Sequence, residues 1–249
     1  MASEISRPTD GKKETSCRSR LKFCILFPPS SSWLVVIEDE RRACTETTRS
    51  QRCMLSGRPE PPDSVAQLIR CVRKAIMNGK TIEYLEYAPH NAMWAMVTSS
   101  GSVWIDCGRM DSNSAYYQSL QRVLAECPHV RGLSLGSAEF ECWILIHSDG
   151  KGVRTYGRLP DGLTRDIGEA INLGGGVDFV GILKNTAPYY QVVSRQGYCY
   201  GVINGERHVE GILTDTATGL EMHWDRDGGV FFKNIPESLE RELRRVMSI

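Results

Sequence analysis

Apolar and polar residues alternate along this chain in short runs, and the runs come in threes. Between Val130 and Ile171, VRGLSL and ECWILIH each read as a strand and GVRTYG as a shorter third. The turn SDGKG separates the second from the third, with Asp149-Gly150 supplying positive φ. The spacing then changes from two to 3.6. LPDGLTRDIGEAI predicts a helix, because Pro160 suits a first turn and Leu163, Ile167, Ala170 and Ile171 share one face.

The same order of landmarks recurs along the chain, which isolated apolar runs do not produce together. Leu21 to Trp33, Ile82 to Trp94, Val130 to Trp143 and Val177 to Tyr190 keep nearly equal separations from the start of a first strand to an aromatic in the second. Gly101, Gly150 and Gly197 follow three of those aromatics at one offset; Glu40 stands there after Trp33. Pro236 with Leu239, Leu243, Val246 and Met247 copies the helix that starts at Pro160, and Tyr116, Leu120, Val123 and Leu124 copy its face. Pro62 with Val65, Ile69 and Val72 copies most of it. The fifth copy opens at Val209, and its Trp224 lies off register beside Asp227-Gly228. Gly201 to Arg207 leaves no room for a helix before it.

The expected fold is a β-rich α+β repeat domain of five antiparallel β-meander units with four intervening helices. A propeller-like ring comes first and an open twisted β-array second. Residues 1–20 are almost devoid of apolar residues and read as a disordered tail; 21–249 read as a single repeat domain with a flexible insertion at 41–63. Trp143, Asp149-Gly150, Leu159-Pro160 and Leu163 resemble the landmarks of uncharacterised eukaryotic, largely fungal, tandem-repeat proteins. That resemblance implies a repeat organisation and no activity.

Composition narrows the setting. The 249 residues are 41% hydrophobic and 24% charged, enough apolar content for a substantial core. Thirty basic and thirty acidic residues cancel, so no global field draws the chain to nucleic acid or an anionic membrane. The nine cysteines are odd in number and contain no CxxC pair, which reads as reduced thiols. With no apolar run of signal-peptide or membrane-spanning length, a cytoplasmic or nuclear location is expected.

No clustered acid, base or nucleophile emerges. Ser134 sits in G-x-S-x-G, Gly132 to Gly136, yet it falls inside a strand that another strand follows, where a nucleophile elbow needs a helix. A serine hydrolase built on Ser134 is therefore disfavoured. Asn78-Gly79-Lys80-Thr81 and Gly174 to Gly176 follow helices and precede strands, the reverse of a phosphate loop. The five histidines lack the spacing of a zinc motif, so neither a metal nor a cofactor is expected. Trp33, Trp94, Trp143 and Tyr190 hold equivalent positions and would form a ligand cage if they converged. Arg41, Arg42, Arg49, Arg52 and Arg58 make the 41–63 span locally basic and partner-facing. Phosphate added at Thr48 or Ser50 would meet those arginines. The expected function is a non-enzymatic interaction module whose partner is a protein, with a small-molecule ligand as second choice. The alternative is an enzyme, or an accessory protein of a biosynthetic pathway, with a site assembled from distant loops.

Overall fold

The structure is a computed structural model that describes residues 16–27, 32–42, 47–56, 63–127, 129–136, 141–182, 190–197, 199–201, 209–215, 220–225 and 229–247. In chain order it places β1 (Ser16–Phe27), β2 (Ser32–Arg42), β3 (Thr47–Ser56), α1 (Asp63–Met77), β4 (Ile82–Ala88), β5 (Met93–Thr98), β6 (Val103–Asp106) and α2 (Ala115–Glu126). Then come β7 (Val130–Leu135), β8 (Trp143–His147), β9 (Val153–Tyr156), α3 (Leu163–Asn172), β10 (Val177–Ile182), β11 (Tyr190–Ser194) and β12 (Cys199–Gly201). The last are β13 (Val209–Asp215), β14 (Leu220–Asp225), β15 (Val230–Lys233) and α4 (Glu237–Met247). The fold is α+β and β-rich.

Each run of three strands forms its own three-stranded antiparallel sheet, giving five sheets, numbered here in chain order. Every first strand carries a register shift, in the middle of β1 at Leu21/Phe23 and at the start of the others, at Ile82/Tyr84, Val130/Gly132, Val177/Phe179 and Val209/Gly211. A shift of this kind turns the strand and raises its twist. Gly101, Gly150 and Gly197 take positive φ in the turns after β5, β8 and β11, and Asp149 Oδ1 accepts the N–H groups of Lys151 and Gly152.

A three-stranded sheet leaves apolar surface on both faces, so neighbouring sheets share cores. The first and second enclose one with α1, through Leu34, Val36, Leu68, Val72, Trp94 and Met96. Sheets two and three do so with α2, and three and four with α3. The fifth sheet and α4 pack against the first, where Leu239 and Leu243 meet Leu21, Trp33 and Val35. Between the fourth and fifth, β10 lies against β13.

Two expectations about segments change. β1 begins at Ser16, inside the span read as a tail, and β3 occupies Thr47–Ser56, inside the span read as a flexible insertion. Its pairing with β2 is continuous from Arg42↔Thr47 to Trp33↔Ser56, and Cys53 and Leu55 pack on the core of sheets one and two. Residues 1–15, Arg58, His208 and the Asp227-Gly228 turn lie outside the described residues. Among the described residues, no helix is long and apolar enough to cross a membrane.

Candidate functional site

The four aromatics proposed as a cage do not converge. Trp33, Trp94, Trp143 and Tyr190 are buried in four different cores. Each donates its polar hydrogen to a helix: Trp33 Nε1 to Ser238 Oγ at 3.1 Å, Trp94 Nε1 to the Ser64 carbonyl at 2.9 Å, and Trp143 Nε1 to Ser119 Oγ at 3.0 Å. The Tyr190 hydroxyl donates to Asp166 Oδ2 at 2.7 Å. Their common job is to fasten a sheet to a helix while satisfying a buried donor. Burial and the Asp166 carboxylate push the Tyr190 hydroxyl up to about 12.

The arginines stand elsewhere, on a ribbon formed by one end of the first sheet. β1, β2 and β3 run 12, 11 and 10 residues, against 6, 5 and 4 for β7, β8 and β9. Glu40 holds the place of the turn glycine, so the first hairpin continues as strand where the others close. The added rungs are polar or charged: Arg18↔Glu40↔Arg49, Ser19↔Asp39↔Ser50 and Arg20↔Glu38↔Gln51.

The ribbon is ordered by its own side chains. Arg20 Nε donates to Glu38 Oε2 at 2.7 Å, and Glu38 is buried. Asp39 accepts from Ser19 Oγ at 2.6 Å and from Arg52 Nε at 2.8 Å. Partial burial opposes ionisation of Asp39, yet those two bonds and the charges of Arg52 and Arg41 hold its carboxyl below the usual range. Arg49 lies 3.9 Å from Glu40, a loose and exposed pair that contributes little. Gln51 anchors the ribbon to the second sheet: its Nε2 donates to the Ile82 carbonyl at 3.0 Å, and its Oε1 accepts the Ile82 N–H at 2.8 Å. In the fourth sheet the matching Val177 N–H donates to the Gly150 carbonyl of a turn, at 2.7 Å. Gln51 thus supplies from a side chain what the absent turn supplies elsewhere. Arg18, Arg41, Thr48, Arg49 and Ser50 are exposed on this ribbon; Arg52 is half-buried, and Arg42 closes β2.

The other motifs serve the fold. Ser134 is buried near the end of β7, paired with Ile144, and the strand runs on through it to Leu135. Gly79 takes positive φ just past α1, where Gly79 N–H donates to the Ile76 carbonyl and Lys80 N–H to that of Ala75. Gly174 and Gly176 both donate to the Ala170 carbonyl at the end of α3. Among the described residues, no three His, Cys, Asp or Glu side chains are grouped as metal ligands. Cys24, Cys53, Cys71, Cys107, Cys127 and Cys142 are not joined in disulfides. Cys127 Sγ lies 3.7 Å from His147 Nε2, a pair the sequence did not suggest because 20 residues separate them. Cys127 is buried at the C-terminal cap of α2, sheltered from a substrate. Compared with known protein families and with curated proteins, the chain matches none.

Proposed function

We propose that this chain is a non-enzymatic interaction module, a propeller-like ring of five equivalent units whose first-sheet ribbon meets a protein partner. The ring reading is supported by the common register shift in the five first strands and by the packing of α4 on the first sheet. With α4 in that place, the last unit fastens to the first as the other helices fasten consecutive sheets.

The observation that carries the functional reading is the ribbon itself. Proteins keep edge strands short because an unpaired row of N–H and C=O groups invites further pairing. The third strands of sheets two to five obey that rule at 3 or 4 residues, while β3 has 10. Its exposed Thr48, Arg49 and Ser50, beside Arg18 and Arg41, favour an acidic or phosphorylated partner segment over an apolar one.

The test places a photo-crosslinking residue at Arg18, Arg41 or Arg49, and at Arg241 on α4 as a control. Adducts should form at the three ribbon positions alone, and Arg18→Glu with Arg41→Glu should abolish the one at position 49. Equal crosslinking at Arg241, or capture unaffected by the charge reversal, would place the contact surface elsewhere.

A further inference from the structure

The second half of β3 is committed to cores and the first half is not. Cys53 and Leu55 pack on the core of sheets one and two, and Met54 packs on the core that the first sheet shares with the fifth. Side chains alternate along a strand, so Arg49 falls on the face of Cys53, and Thr48 and Ser50 on the face of Met54. All three are exposed, so this end of the ribbon stands clear of its neighbours on both faces. Among the described residues β3 pairs with β2 alone, and every second residue turns its N–H and C=O groups away from that partner. The other edge of the sheet is engaged, since Trp224 Nε1 donates to the Lys22 carbonyl of β1 at 3.1 Å. The clamp of Gln51 on Ile82 holds β3 in place as a preformed template.

Charge on this end is sorted by depth. Glu38 is buried against Arg20, and the side chains of Asp39 and Glu40 are 19% and 16% exposed, against 42% for Arg52 and 58% for Arg49. Arg18 and Arg41 are exposed as well. The carboxylates are turned into the sheet, and a partner meets guanidinium groups. By register, Arg18 and Arg49 lie on one face and Arg41 and Arg52 on the other. A helix laid on either face would reach one pair, whereas a segment running along the edge of β3 reaches both.

We infer that the ribbon takes its partner by strand addition: an extended acidic segment of another protein pairs with residues 47–52 as a fourth strand of the first sheet. The inference rests on the ribbon reading and adds the manner of docking and the chemistry of the segment. Main-chain bonds to the outward N–H and C=O groups hold the segment, and its alternate side chains select it. On the face of Arg18 and Arg49 the segment carries carboxylates. Beside Thr48 and Ser50 it carries hydroxylated residues, which pair well across strands. The β3 strand of a second copy is a poor occupant, because it would bring Arg49 and Arg52 against arginines of its own kind.

The test titrates the full chain with a capped peptide of alternating threonine and glutamate, and with two copies of it, one N-methylated at every glutamate amide and one at every threonine amide. The plain peptide should bind and slow amide exchange at alternate residues of 47–52. A strand pairs through one edge, so one methylated copy should lose binding by about tenfold or more while the other keeps it. Arg49→Glu should weaken the plain peptide by about fivefold or more, with melting still cooperative. Equal binding of all three peptides with unchanged exchange in β3 overturns strand addition and leaves the ribbon reading standing. No binding of the plain peptide at millimolar concentration also overturns it, and the ribbon reading is then decided by the crosslinking at Arg18, Arg41 and Arg49. Dimers of the chain alone, with β3 amides protected as concentration rises, would give the edge to a second copy and overturn it too.

Discussion

The junction between the second and third sheets and that between the fourth and fifth are built from the same strand order and the same pairing register, yet the sequence puts polar residues at register places of the second that are apolar in the first. In the first, α2 lays Tyr116, Leu120 and Leu124 onto Ala95, Val97, Leu133 and Trp143, and Ser119 takes the Trp143 indole hydrogen. In the second, Gln191, His223 and Glu221 replace the aliphatic and aromatic residues, and the described residues supply no helix. The difference teaches that the tryptophan and the helix are one device. Where no helix is present to accept an indole hydrogen, no tryptophan is placed to donate one.

The comparison breaks most visibly at the sealed junction. Leu120, fully buried on the inner face of α2, should cost about 2–5 kcal/mol when truncated in Leu120→Ala, read as a lowered denaturation midpoint at unchanged slope. An unchanged midpoint would mean that α2 does not hold the two sheets together.

Tyr190 sharpens the same point with a polar group. Tyr190→Phe keeps the ring but takes a donor from Asp166, 4% exposed, and leaves Arg165 as the remaining ion-pair partner; about 1.5–3 kcal/mol should be lost. The pH dependence follows from the same contact. The folded hydroxyl titrates near 12 against an ordinary 10.0, so its contribution is complete below pH 10 and is lost as pH rises through 12. Alkaline titration of the melting temperature should fall less steeply in Tyr190→Phe than in the native chain. Equal slopes would show that another group governs the alkaline limit.

What the sequence revealed, and what it hid, divides along similar lines. Strand starts at Ile82, Val130, Val177 and Val209 were legible because alternation and recurrence both mark them; Leu21, read the same way, lies inside β1, and all five sit at a register shift. The helix faces were legible from spacing alone. β3 was hidden, since TTRSQR alternates between polar residues and other polar residues, and period two leaves no trace without an apolar partner. The equivalence of the aromatics was seen but their use was not, because a shared position says nothing about whether side chains converge. His223 and Gln191 gained meaning only once pairing showed whose places they hold.

Gln51 offers a gentler break. Gln51→Ala removes both bonds to the Ile82 backbone and should cost about 1–2 kcal/mol. Hydrogen exchange at the Ile82 amide should accelerate while that at Val177, held by a turn carbonyl, stays unchanged. Equal protection at Ile82 in both proteins would mean that the clamp is idle.

The smallest expected effect on stability is the most informative. His223→Val installs in the fifth sheet the residue type that Val35 and Val192 supply at the same register place, and valine suits a half-buried strand position better than histidine does. If His223 is not kept for the fold, the variant should be slightly more stable, by about 0.5 kcal/mol or 1–2 °C in melting temperature. Sites built for function carry residues that the fold would not choose, so a gain in stability at this one position marks a functional residue more clearly than any loss. A destabilisation of more than about 1 kcal/mol would instead make His223 part of the architecture.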